Sequence, residues 1–306
     1  MTKVFIDGSA GTTGLRIHER LSARADLELL TLPEEMRKDA DARREMLHAA
    51  DIAFLCLPDA AAIEAVALAG DSKVKIIDTS TAHRTNPDWA YGFAELTGYG
   101  KIQGATRVAN PGCHASGFLA LTAPLTKAGL LKKDAHLTCL SLTGYSGGGK
   151  KMIADYESAE RSPLLGAPRQ YALAQSHKHL PEMMAVAGLE NAPVFCPVVG
   201  DFYSGMEVTV PVFAHDLSGT VEDVKQVYRE TFENGLVRFA DEDKESGFLS
   251  AAAFTGRDDM EVRVCGNAER VLLVARFDNL GKGASGAAIQ NMNIMLGVDE
   301  TTGLIV

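Results

Sequence analysis

Lys3-Val4-Phe5-Ile6-Asp7, followed at once by Gly8-Ser9-Ala10-Gly11-Thr12-Thr13-Gly14 and then Leu15-Arg16-Ile17-His18-Glu19-Arg20-Leu21, reads as strand, glycine turn and helix. Such a turn lets backbone N–H groups approach a pyrophosphate at the positive end of a helix. The spacing is G-x-x-G-x-x-G, a variant of the usual G-x-G-x-x-G, and a tight βα turn with no ligand would look similar, so context decides. Downstream, residues 27–32, 51–57 and 73–78 are further apolar strand runs, with helical patterns around 39–49 and 59–69 between them. Alternating strands and helices imply a parallel, doubly wound α/β sheet of Rossmann type. Gly8, Ser9, Ala10, Gly11, Thr12, Thr13 and Gly14 are then the expected cofactor cradle.

The end of the second strand tells the cofactors apart. An NAD-binding turn would place an acidic residue there, but Thr31-Leu32-Pro33 stands in its place, followed by Arg37 and Lys38. A carboxylate would repel a ribose 2′-phosphate and a cation would accept it, so the sequence points to NADP(H). The same two cations could equally form a solvated helix face.

Length and composition bound the rest. The 306 residues, 46% hydrophobic, suit two domains that each bury a core without staples. No run approaches the ~20 apolar residues of a membrane span, and no apolar leader follows a basic start, so a cytoplasmic protein is expected. Cysteines at 56, 113, 139, 196 and 265 form no C-x-x-C pair, which argues against a disulfide framework or a structural metal. A net charge of −10 opposes nucleic acid and anionic membranes as partners. An anionic substrate must find a local basic pocket.

The chemistry concentrates at Asn110-Pro111-Gly112-Cys113-His114-Ala115-Ser116-Gly117, where a turn-forming run gives way to the helical pattern of 118–125. A thiol at a helix N-terminus meets the positive end of the dipole, which favours the nucleophilic thiolate. A lone cysteine is more often a small buried apolar residue; the Pro-Gly turn and polar neighbours reverse that here. Beyond it, longer strands at 137–143, 207–213, 261–264 and 270–276, with helices at about 219–235 and near 181–188, suggest an α+β catalytic domain built on a mixed or antiparallel sheet.

Three further stretches carry candidate groups. Gly144-Tyr145-Ser146-Gly147-Gly148-Gly149-Lys150-Lys151 joins a strand to a helix and could hold a phosphate or carboxylate. Ser176-His177-Lys178-His179-Leu180-Pro181-Glu182 sets two imidazoles before a proline-started helix, and a thiol nucleophile needs such an acid/base. As a metal set, H-x-H alone is thin. Asp278-Asn279-Leu280-Gly281-Lys282-Gly283-Ala284-Ser285-Gly286 is a second glycine turn before a helix.

In this order, these motifs resemble the N-acetyl-γ-glutamyl-phosphate reductase family, in its shorter type, over nearly the whole chain. The Asp78-Thr79-Ser80-Thr81-Ala82-His83-Arg84 segment and Trp89-Ala90-Tyr91-Gly92 are similar to the family's Asp-x-Ser and Trp-x-Tyr-Gly region. Aspartate-semialdehyde dehydrogenases share the fold and chemistry but usually carry Asn before the cysteine, where Gly112 stands. His114 occupies a place where Tyr is commoner, and His83 one where Phe is commoner.

The resemblance implies NADPH-dependent reduction of an acyl phosphate through a Cys113 thioester in arginine biosynthesis, with His177 or His179 as acid/base. It implies Ser80, Gly283 and Ser285 as further cofactor contacts. Substrate or phosphate would fall to Ser146, Gly147, Lys150 and Glu182, with Arg107 and Arg84 behind them. It also implies a homodimer or homotetramer, and a C-terminal helix that rejoins the nucleotide domain, giving 1–112 with 286–306 and a catalytic, dimerising domain of 113–285. Aspartyl or N-acetyl-aminoadipyl phosphate would suit the same thiol. A non-catalytic NADP-sensing module is the reading from another class, and predicts an unreactive Cys113.

Overall fold

The chain opens with β1 (Thr2–Asp7), α1 (Thr12–Ser22), β2 (Leu27–Leu30), α2 (Ala40–Ala49), β3 (Ile52–Leu55), α3 (Asp59–Ala69), β4 (Lys75–Asp78), β5 (Ala90–Tyr91), α4 (Ala94–Thr97), α5 (Tyr99–Gln103) and β6 (Arg107–Ala109). This comes from a computed structural model, which describes residues 1–242 and 245–306. All six strands are parallel, in the order β2-β1-β3-β4-β6-β5. The chain leaves β1 for a neighbour on one side and later returns to the other, so the carboxyl ends of β1 and β3 flank a topological switch point, where such sheets bind ligands.

Alternation along the strands explains the two covered faces. Val4, Ile6, Ile52 and Phe54 pack with Ile17 and Leu21 of α1, whereas Phe5, Ala53 and Leu55 pack with Leu47 of α2 and with Ala62, Ala65 and Ala69 of α3. Successive side chains point to opposite faces, so apolar runs of this kind demand cover on both.

A second unit follows: α6 (Cys113–Lys127), β7 (Thr138–Gly144), α7 (Gly149–Glu157), β8 (Arg169–Gln170), α8 (Leu180–Ala187), β9 (Val194–Gly200), β10 (Met206–Phe213), α9 (Val221–Thr231), β11 (Val237–Phe239), β12 (Met260–Gly266) and β13 (Arg270–Phe277). Its seven-stranded sheet runs β11-β12-β13-β10-β7-β9-β8. β7 pairs parallel with β9 and β11 with β12, the remaining pairs being antiparallel, so the sheet is mixed. Helix α6 approaches β10 closely at Gly117, where a Cβ would lie 2.4 Å from Val208 Cγ2. Tyr228 of α9 donates from its buried hydroxyl to the Leu121 carbonyl at 2.6 Å, tying α9 to α6.

Helix α9 is shorter than the 219–235 its pattern suggests. Thr220 and Asp223 form a capping box that fixes the start at Val221, and the helix ends at Thr231. Strand β9, which the sequence analysis does not predict, carries Pro197, which cannot donate to a ladder. Its carbonyl nonetheless accepts from Tyr171 N–H at 3.0 Å.

The chain then forms α10 (Gly286–Leu296), which packs on the first unit through Ala288, Ile289, Met292 and Met295. The amide nitrogens of its buried polar residues are all bonded, while Asn291 Oδ1 has no partner among the described residues. Gln290 donates to Glu95 and Glu300, Asn291 to the Gly92 carbonyl and Asn110 Oδ1, and Asn293 to the Glu300 and Thr302 carbonyls. Left unbonded, each buried amide would cost about 1–3 kcal/mol. Two compact units result: Met1–Pro111 with Ala284–Leu304, and Gly112–Gly283 with Ile305–Val306. The sequence reading put these divisions one and two residues later. The final dipeptide joins the second unit because Asp258 N–H donates to the Ile305 carbonyl and Ile305 N–H to the Asp258 carboxylate.

Candidate active site

In the first unit the glycine turn lies at the carboxyl end of β1. Gly8 has φ +87°, and a Cβ on it would fall 2.3 Å from the Cys56 carbonyl oxygen; on Gly14 it would fall 2.5 Å from the Gly8 carbonyl. The fold itself demands those two glycines. Gly11 differs: nothing lies closer than 3.6 Å to its Cβ position, it is exposed, and it is the N-cap of α1 with no side-chain cap. The helix therefore presents uncapped N–H groups beside an open backbone, the cradle a pyrophosphate requires.

Beside it, Asp7, Gly8, Ser9, His18, Thr31, Leu32 and Arg37 line a small pocket. Arg37 lines it and Lys38 does not. The residues suit a dinucleotide, with Arg37 the cation available to a ribose 2′-phosphate. His18 was not foreseen; it lies mid-helix, where a lone histidine carries no motif. Asp7 was not foreseen either. It is buried and paired with buried Arg43 at 3.0 Å, and burial raises its carboxyl above the ordinary value, partly opposed by Arg43.

These contrasts give an expected result. Gly8→Ala strains a left-handed position and should destabilise the fold by about 1–3 kcal/mol. Gly11→Ala should leave the melting temperature within a degree or two yet weaken NADPH binding at least about tenfold, because its Cβ fills the cradle alone. Thermal melting beside cofactor titration checks both, and tight binding by Gly11→Ala would remove that glycine from the site.

The loop after β4 is held by its own side chains. Buried Asp78 accepts from the Ser80 N–H and hydroxyl and pairs with His83 Nδ1 at 2.6 Å, while His83 stacks on Trp89. The Ser80 hydroxyl donates to Asp78 and accepts from Ala82 N–H. Arg84 is buried, donating to the Asn110 and Thr79 carbonyls, and Arg107, at the amino end of β6, donates to the Val74 and Thr106 carbonyls. The two arginines expected to bind phosphate thus both donate to backbone carbonyls, and Arg107 lies at the amino end of its strand, whereas the glycine turn lies at the carboxyl end of β1.

In the second unit Cys113 is the first residue of the fifteen-residue α6, behind the N-cap Gly112 and with no side-chain cap. Burial of Glu182 sets the turn, because its Oε1 accepts from Gly112 N–H at 2.8 Å. Glu182, expected at the substrate, anchors the start of α6 to α8 through this bond. Gly283 lies here too; a Cβ on it would sit 3.1 Å from Cys113 Cβ, a tight approach that a larger residue would crowd. Ser285, also expected at the cofactor, is buried at the N-cap of α10 without capping it.

The imidazoles gather beside the thiol-bearing turn. The His177 and His179 rings are 4.7 Å apart, and both lie within 5.8 Å of the ring of His114, the residue after Cys113. His179 N–H donates to His177 Nδ1 at 3.3 Å, leaving the proton of neutral His177 on Nε2. Burial, then the neighbouring Lys178, lowers the His177 pKa below its ordinary value. His179 is buried, His177 half-buried.

The Gly144–Lys151 run folds as a tight turn leading into α7. Ser146 is buried and its hydroxyl accepts from Asn279 Nδ2 at 3.0 Å, whereas Gly147 and Lys150 are exposed. Asn279 also accepts from Gly205 N–H, and Asp278 from Ser204, Gly256 and Leu280. That interior role of the Asp-Asn pair follows from burial and had no motif to announce it.

Together, a glycine-turn nucleotide fold and a mixed-sheet domain with a cysteine at the head of its long helix define a dinucleotide-dependent oxidoreductase. Residues 3–103 match the family model "Semialdehyde dehydrogenase, NAD binding domain", and residues 113–279 the model "Semialdehyde dehydrogenase, dimerisation domain". The chain is 48% identical to the N-acetyl-gamma-glutamyl-phosphate reductase of Rhizobium meliloti and 47% identical to that of Brucella suis, with 96% of this chain covered in each case and 98% and 99% of the relatives. In fold it is similar to aspartate semialdehyde dehydrogenase II from Vibrio cholerae, at a TM-score of 0.73 and 17% identity, over 97% of this chain and 98% of that one. The chain belongs to the N-acetyl-gamma-glutamyl-phosphate reductase family, within the semialdehyde dehydrogenases.

Proposed function

We propose that this protein reduces N-acetyl-γ-glutamyl phosphate to N-acetylglutamate 5-semialdehyde and phosphate, with NADPH, in arginine biosynthesis. The observation that carries the mechanism is Cys113 at the uncapped N-terminus of α6, with two imidazoles in the same unit. The Cys113 thiolate attacks the acyl carbon, the bond to the phosphate oxygen breaks, and phosphate leaves with the electron pair. This exchanges one hard displacement for a thioester that is easier to reduce. Bound NADPH supplies the hydride that the thioester carbon accepts. The resulting oxyanion re-forms its carbonyl as the carbon–sulfur bond breaks, releasing aldehyde and restoring the thiolate; the one proton the reaction consumes goes to the departing phosphate oxygen.

We assign the proton transfers to His177, because its half-buried ring can meet substrate while buried His179 holds its Nδ1 through a backbone N–H. Gly8 to Gly14, with Arg37, hold the dinucleotide, and Gly147 and Lys150 are exposed groups suited to an anion. Assaying phosphate-dependent NADP+ reduction with N-acetylglutamate, N-acetylaminoadipate and aspartate semialdehydes tests the substrate; a kcat/KM highest for either of the latter two would overturn it.

The cofactor preference follows from the same pocket. With Thr31 and Arg37 where an acidic residue would select NAD, kcat/KM should favour NADPH over NADH, and Thr31→Asp should depress NADPH use more than NADH use. Equal losses would mean the substitution had only damaged the strand end.

A homodimer or homotetramer is part of the proposal. The matched dimerisation model supports it, as do apolar side chains exposed on the second sheet at Leu140, Val194 and Leu272. Sedimentation tests it, a monomer being the contrary result. A cytoplasmic location, where thiols such as Cys113 stay reduced, completes it.

A further inference from the structure

Three polar side chains of the second unit form one hydrogen-bonded chain beside the thiol. Ser141 Oγ lies 2.7 Å from His114 Nδ1, and His114 Nε2 lies 2.6 Å from the Tyr171 hydroxyl. Burial, then His177, holds the His114 pKa down to about 3, so its ring is neutral and carries a single N–H. The protons can therefore run in only one of two directions.

Burial decides which. Ser141 on β7 is fully buried, and among the described residues its hydroxyl has no partner but His114. Were Nδ1 the donor, the serine O–H would be stranded in the interior at about 1–3 kcal/mol. Ser141 therefore donates to Nδ1, Nε2–H donates to the Tyr171 oxygen, and the tyrosine's own O–H is left over. Tyr171 is only half-buried, so its O–H can be turned toward the site at little cost. Its ring lies 6.2 Å from that of His177 and edge-on to His114, the residue after Cys113. Burial, then the charge of Cys113, pushes the Tyr171 phenol up, so it remains a donor at neutral pH.

We propose that Tyr171 is a further catalytic residue, its spare O–H donating to the Cys113 sulfur and then to the oxygen of the acyl group bound there, with His114 and Ser141 as positioning residues that aim it. This rests on Cys113 being the nucleophile. A hydrogen bond to the charged form favours that form, and a donor aimed at a developing oxyanion is worth about 10²–10³ in kcat.

Tyr171→Phe removes the O–H and keeps the ring. In the full-length protein it should slow iodoacetamide alkylation of Cys113 at pH 7, followed on the Cys113 peptide by mass spectrometry, by about threefold or more. It should lower kcat about 10²-fold with little change in KM. His114→Phe should lose as much, and the double variant no more than either, because all three break one chain. The alkylation arm needs no substrate: a slower rate in Tyr171→Phe alongside a wild type inactive on N-acetylglutamate 5-semialdehyde would sink the substrate reading and leave this proposal standing. An unchanged alkylation rate, or a Tyr171→Phe kcat within twofold of a working wild type, would overturn it.

Discussion

Cys113→Ser should lower kcat at least about 10³-fold while leaving the fold and NADPH binding intact. A serine alkoxide is not populated at neutral pH, so a helix N-terminus that suffices to activate a thiol cannot activate a hydroxyl. Sulfur to oxygen is a small change in volume, the cradle at Gly8 to Gly14 belongs to the other compact unit, and the Gly112–Glu182 bond that sets the turn is untouched. The loss should therefore appear in kcat, with cofactor affinity and melting temperature near wild type. Retention of more than a tenth of wild-type activity would end the covalent mechanism.

His177→Asn should lose roughly 10²–10⁴-fold in kcat, and His179→Asn should act mainly on KM and stability. Because burial holds the His177 pKa below its usual value, the ring is neutral at pH 7 and gains a proton only as pH falls through that lowered pKa. The wild-type acid limb should thus lie below about pH 6.5, and His177→Asn should flatten it. Should His179→Asn abolish that limb while His177→Asn keeps it, the two roles are exchanged; two unchanged profiles would take the motif out of proton transfer.

The α/β alternation and the glycine turn were legible because strand and helix periods are local properties. So were the mixed second sheet and the thiol-bearing helix start, since Asn110-Pro111-Gly112 can hardly continue a strand. What sequence could not reveal is which partner claims each polar group. Arg84 and Arg107 have the chemistry of phosphate ligands, and the sequence does not show that both also donate to backbone carbonyls of the first unit. Glu182 sits in a motif with two histidines, and nothing in that motif shows that its Oε1 accepts from a backbone N–H seventy residues away. Ser146 stands in its glycine-rich run, and only the fold shows that its hydroxyl accepts from Asn279, 133 residues distant. The Ser141–His114–Tyr171 chain joins β7, α6 and the loop after β8, whose residues share no spacing, so only the fold assembles it.

The central claim is a thioester on Cys113 that forms before any hydride is transferred. Mixing the enzyme with N-acetylglutamyl phosphate in the absence of reduced cofactor, quenching, and weighing the intact protein tests it most directly. The account predicts a mass increase of one N-acetylglutamyl group, mapped to the Cys113 peptide, a matching burst of phosphate, and loss of the adduct as aldehyde when NADPH is added. An enzyme that turns over with NADPH yet shows neither adduct nor burst without it would contradict the account.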